Sequence, residues 1–225
     1  MPARQPPGRG ERILLAAGEL LVRHGYRKVT MEDIAKAAKV GKGTVYLHWR
    51  TKEQLFMTLL RHEAVDMVTE VIAGIRADPA EVLPHRLMRS SFVRTLRNPL
   101  LTTMLTGDND IFGAAGNTAL AGKGLLIDYD YFELMTSNGL LRADIPHLDY
   151  AMQAVTIGFW LFDRAAPAEP ELTLEQRADA LARIIADAFE PSTAPEPETL
   201  ATVAETVCTR FEAVIAEHRT WLSDA

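Results

Sequence analysis

Apolar residues recur every three to four positions along most of this chain, with polar faces between them, and that period predicts helices. Ile13, Leu14, Ala17, Leu20 and Leu21 share one face of a first helix that stops near His24-Gly25. Met31, Ile34, Ala35 and Ala38 form the apolar face of a second. Thr30 is its expected N-cap, and Asp33 three residues on completes a Thr-x-x-Asp capping signal. Val40-Gly41 ends it, with Gly41 expected to supply positive φ at the turn. A third helix follows from Lys42 to Trp49, with Val45 and Trp49 facing inward. Thr51-x-x-Gln54 opens a fourth, whose Leu55, Phe56, Leu59 and Leu60 begin a long stripe reaching about Ala77.

Helices are also expected over Pro79–Arg97, Leu100–Leu105, Thr118–Ser137, Pro146–Arg164, Leu172–Phe189 and Glu198–Leu222. Pro191 to Pro197 reads as a stiff connector. No segment shows a convincing strand pattern, so the fold class is all-α. The expected organisation is a helix-turn-helix unit over residues 1–56, with 1–10 as a flexible basic arm. A larger helical unit over 57–225 follows, with 198–222 as an added C-terminal helix.

Charge sharpens this division. The whole chain carries 24 Lys and Arg against 30 Asp and Glu. Residues 1–56 hold 11 basic against 5 acidic residues, which leaves 13 against 25 beyond them. A basic unit is attracted to a phosphate backbone, while the acidic remainder is repelled and helps orient the molecule. The second and third helices, joined by a short glycine-containing turn, form a helix-turn-helix pattern. Its basic, hydroxylated second member is suited to a DNA groove.

The first 56 residues closely resemble the tetracycline-repressor (TetR) family of bacterial transcriptional regulators. The resemblance rests on the first helix stripe, Gly25-Tyr26, the Thr30–Ala38 helix, Gly41, Gly43-Thr44-Val45-Tyr46, His48-Trp49 and Lys52-Glu53-x-Leu55. The family commonly has Phe where this chain has Trp49, and often an aromatic where it has Leu47. The resemblance implies double-stranded DNA with a palindromic operator as partner. Lys42 and Thr44 would reach bases or adjacent phosphates, Gly43 would allow close approach, and Thr30, Tyr46, His48 and Lys52 would hold phosphates. Arg4 and Arg9 are expected to add contacts from the arm. It further implies a homodimer, a small-molecule effector and, for the gene, repression.

Two apolar seams suit helix pairing between subunits: Val155, Phe159 and Phe162 on one helix, and Ala178, Leu181 and Ile185 on another. Phe92, Met104, Phe112, Tyr129, Phe132 and Trp160 are the expected walls of an effector pocket. The added helix carries its own seam, interrupted by His218, and its role stays open: core padding, dimer extension or pocket cover.

Other chemistries find little support. Gly116 to Gly124 imitates a phosphate loop but has five residues between its glycines where four are needed. Asp108-Asn109-Asp110 starts like a calcium loop, yet Ala119 stands where the bidentate Glu belongs. His62-Glu63-x-x-Asp66 lacks the second histidine of a zinc-protease helix. No metal site, cofactor or catalytic set is expected. The single cysteine, Cys208, and the lack of an apolar leader or spanning segment point to a cytoplasmic protein. Two rival readings stay open: a DNA-binding regulator controlled by a protein partner, and an enzyme with an attached helix-turn-helix.

Overall fold

The computed structural model describes residues 8–106, 129–165 and 172–224, with side chains undescribed at 104–106, 129, 163–165 and 217–224. Every regular element among the described residues is helical. They are α1 (Arg9–His24), a 3-10 turn (Tyr26–Lys28), α2 (Met31–Ala37), α3 (Lys42–His48) and α4 (Lys52–Ala77). A second 3-10 turn (Pro79–Val82) precedes α5 (Pro84–Arg97) and α6 (Pro99–Thr106). Then come α7 (Tyr129–Ser137), α8 (Leu148–Ala165), α9 (Leu174–Phe189) and α10 (Pro197–Asp224). Arg4, Phe112, residues 118–128 of an expected helix, and both loop motifs within 107–128 lie outside the described residues. So do the side chains of Met104, Tyr129, Asp163 and His218.

Local signals explain several helix starts. The Thr30 hydroxyl accepts from the Asp33 amide at 3.2 Å and donates to the Asp33 carboxylate at 2.6 Å, and the Thr30 amide donates to that carboxylate at 3.0 Å. This reciprocal box satisfies amides that an isolated helix start would leave orphaned. The hydrogen bonds hold the Asp33 carboxyl below its ordinary pKa, the Thr30 hydroxyl being the largest cause. Thr173 and Gln176 build the same box at α9, and Thr51 caps α4 by accepting from the Gln54 amide.

Two expectations need correction. Gly41 is not the positive-φ residue: it is extended at φ −68°, and Lys39 takes φ 55° instead. The chain leaves α2 through Ala38, and the Val40 amide donates to the Ala35 carbonyl at 3.0 Å, so the left-handed residue falls at Lys39. Pro79–Arg97 is not one helix either. Pro84 disfavours helical backbone at the residue before it, so Leu83 is extended at ψ 132°, and Pro84 then opens α5.

The buried apolar residues form two clusters. The first joins Ile13, Leu21, Ile34 and Val45 to Leu55, Phe56, Leu59 and Leu60 of α4. The second runs from Val65 through α5, α7 and α9 to Phe211 and Ile215 of α10. The α4 helix therefore serves both, and Leu101 at the start of α6 also reaches the first. Gly18 of α1 lies where an added Cβ would sit 3.5 Å from the Leu100 side chain and 3.6 Å from Leu59, so α1, α4 and α6 meet closely there.

The added helix α10 lies along α4 and the second 3-10 turn. It buries Val203, Ala204, Val207, Cys208 and Phe211, and Arg76 of α4 meets its Glu212 at 2.6 Å. It pads the protomer's own core. Burial pushes the Cys208 thiol above its usual pKa. No helix among the described residues is long and apolar enough to cross a membrane.

Candidate nucleic-acid interface

The seven-residue α3 is held from behind. Val45 is fully buried, and Trp49 at its C-cap donates through Nε1 to the Thr58 hydroxyl of α4 at 2.9 Å. The Arg50 amide donates to the Gln54 side chain at 3.0 Å. Lys42, Gly43, Tyr46, Leu47 and His48 are exposed, while Thr44 is half-buried. Nothing lies within 4 Å of where a Cβ would stand on Gly43, so another backbone can approach there closely.

The expected phosphate holders differ in how free they are. Tyr46 and His48 are exposed on α3. The hydroxyl of Thr30 is committed to its capping box. Lys52 is also engaged: its ammonium donates to the Tyr26 carbonyl at 2.9 Å and the Val29 carbonyl at 3.1 Å. It also sits 4.1 Å from the centre of the Tyr26 ring. Partial burial lowers the Lys52 pKa, and one N–H of the three remains for an anion. Lys42 lies 3.5 Å from Glu32, which Lys36 also meets at 3.2 Å. The two lysines lower the Glu32 pKa, Lys36 more strongly. Lys28, Lys39 and Arg50 are exposed and meet no carboxylate among the described residues, which is the charge a polyanion would use.

Phe92 and Phe132 of the expected pocket and Ala178, Leu181 and Ile185 of the expected dimer seam are all buried in the larger cluster. Phe92 is fully buried and Phe132 nearly so, and both belong to the core of the larger cluster. Phe92 packs edge to face on Phe159, their ring centres 6.3 Å apart. Trp160 is half-buried, and its Nε1 finds no partner among the described residues. Ala178, Leu181 and Ile185 are fully buried against the protomer's own α5, so a second subunit cannot reach them. Val155 and Phe159 are half-buried against the same core, and of the six expected dimer residues only Phe162 is exposed. The exposed stripe of α8 is instead Ala154, Ile157, Gly158, Leu161 and Phe162, flanked by Ile184 of α9.

An open cleft of about 700 Å³ lies elsewhere, between α4, α5 and the start of α6. Glu63, Asp66, Met67 and Glu70 come from α4; Arg89, Ser90, Val93, Arg94 and Arg97 from α5; and Asn98, Pro99 and Leu101 close it. Arg94 meets Glu70 across the cleft at 3.4 Å, and Asn98 donates to Glu63 at 2.6 Å. Arg89 and Arg97 reach the other way, to Asp179 and Glu175 of α9. The sequence reading missed these residues. Their signal was a charged stripe at helical spacing on each of two helices, but nothing local says that the two stripes face each other.

Three helices with a buried rear face and an exposed α3 define a helix-turn-helix protein. The family model for bacterial regulatory proteins of the tetR family matches residues 13–59. Over those residues the chain is similar to the N-terminal domain of that family. It is 40% identical over 53 residues to the HTH-type transcriptional regulator QacR of Staphylococcus aureus, a match covering 24% of this chain and only 28% of that one. It is 26% identical over 152 residues to the HTH-type transcriptional repressor AcnR of Corynebacterium efficiens, covering 63% and 73%. Among solved structures, the fatty acid degradation regulator FadR from Bacillus halodurans superposes with a TM-score of 0.64 at 16% identity, over 82% of this chain and 98% of that one. AibR, solved in complex with isovaleryl coenzyme A and operator DNA, gives 0.57 at 25% identity, over 79% and 97%.

Proposed function

We propose that this protein is a homodimeric transcriptional regulator that holds a near-palindromic DNA site and releases it when a small molecule binds, acting as a repressor. The observation that carries this reading is α3: a helix fixed on one side by Val45 and Trp49, with its other side bare. A helix so mounted enters a major groove. Thr44 and Lys42 reach bases or nearby phosphates, and Tyr46, His48 and the remaining N–H of Lys52 hold the backbone. The Lys42 contact to Glu32 is exchanged for DNA.

One α3 reads only a few base pairs, so a second copy is needed, and twofold symmetry matches a palindrome. The exposed α8 stripe with Ile184 is the self-complementary surface for it. The effector occupies the cleft of α4, α5 and α6. Both α4 and α6 also touch the helix-turn-helix cluster, so a ligand that changes their separation displaces α1 and α3. The ligand must favour the displaced state by a few kcal/mol to release DNA strongly.

Selection from a randomised duplex library with the full-length protein tests the reading. An inverted repeat should be enriched, and log affinity should fall steeply with log salt. Failure to enrich any sequence overturns it.

A further inference from the structure

Leu47 is the most exposed of the large hydrophobic residues in the described structure, at 86%. It is the next-to-last residue of α3. At about 100° per residue, it lies about 200° around the helix from Val45, whose side chain is fully buried. Gly43, one turn earlier, shares that outermost direction and has no side chain. Leu47 is therefore the side chain that points most directly away from the protein, while Tyr46 and His48 flank it. It contributes nothing to the first cluster, and an isobutyl group in water gains nothing by being there.

Resting on the DNA-binding reading above, we propose that Leu47 is a specificity-determining residue that recognises a thymine through its C5-methyl group. The major-groove edge of a thymine offers one apolar group, and leucine can pack on it without leaving a polar atom unpaired. Gly43 lets the helix sink far enough for that contact. A leucine here makes no hydrogen bond to phosphate, so its contribution is sequence information. Cytosine at the same position would present only a C5–H there, with no methyl group for the leucine to pack on.

Uracil scanning tests this. It removes the methyl group alone and leaves base pairing intact. The enriched duplex is remade with deoxyuridine at each thymine in turn, and binding of the full-length protein is measured by fluorescence anisotropy. For the wild-type protein, one thymine per half-site should be sensitive, losing about four-fold in affinity for one methyl group no longer buried. L47A should bind thymine and uracil equally at that position and keep any sensitivity elsewhere. Its melting temperature should be unchanged, because the side chain is outside the core. Sensitivity at no thymine, or an undiminished uracil penalty in L47A, overturns the proposal while DNA binding stands. If no sequence is enriched at all, the regulator reading falls, and this inference with it.

Discussion

The two apolar clusters use their charged residues in opposite ways. In the first, Lys28, Lys39 and Arg50 are held out in solvent with no carboxylate beside them among the described residues. In the second, the four arginines of α5 each meet a carboxylate of their own chain. Arg86 meets Asp78 and Glu81, Arg89 meets Asp179, Arg94 meets Glu70, and Arg97 meets Glu175. Exposed pairs of this kind add little stability each. The first surface leaves those three cations free of carboxylates among the described residues although Lys36 and Lys42 share Glu32, whereas the second pairs all four α5 arginines with neighbouring elements. The net charge of −6 hides this division completely.

The contrast is broken most severely in the second cluster. Leu181→Glu places a carboxylate in a fully buried site against α5. It should cost about 3–5 kcal/mol and unfold much of the larger cluster. Leu161→Glu, on the exposed α8 stripe, should leave the protomer folded and shift sedimentation from dimer to monomer. If Leu181→Glu instead gave a folded monomer, its assignment to the protomer core would be wrong.

A smaller effect is expected behind α3. Trp49→Phe removes the Nε1 donor to Thr58 and should cost about 1 kcal/mol in chemical denaturation. DNA affinity should fall further than this loss of fold accounts for, since α3 is oriented by the same bond. An unchanged affinity would mean that Val45 and the Gln54 contact suffice.

The mildest test concerns acid. The folded pKa of Asp33 is lowered by its capping box, so the box contributes stability above the ordinary carboxyl value and loses it as pH falls through the folded value. The melting-temperature difference between wild type and Asp33→Ala should therefore be full near neutrality and shrink at low pH. A difference independent of pH would assign the effect to packing instead of the carboxylate.

How much was legible divides along the same line. The Thr30 box, the inward Val45 and Trp49, and the N-terminus of α4 all lie within residues 30–56, and each depends on partners at most a few turns away. Such signals are printed in short-range spacing. Even there, the positive-φ residue was misplaced, because the geometry of the α2 exit, and not glycine content, put it at Lys39. In the larger unit the same helical period was read correctly as an apolar face on α9, but its partner was misassigned. A seam of Ala178, Leu181 and Ile185 looks alike whether it meets another subunit or α5 of its own chain. The aromatics met the same ambiguity: Phe92 and Phe132 are equally good core and pocket wall.

The sequence by itself determined the all-helical class, the helix-turn-helix and its basic surface, since caps, turns and hydrophobic period are local properties. Tertiary structure alone decided which faces were left over. It buried the α9 seam, exposed the α8 stripe, bound Lys52 to the Tyr26 and Val29 carbonyls, and brought the acidic stripe of α4 against the arginines of α5. Those outcomes join residues as far apart as Arg89 and Asp179. Periodicity tells which side of a helix is apolar, but only the packed chain tells what lies against it.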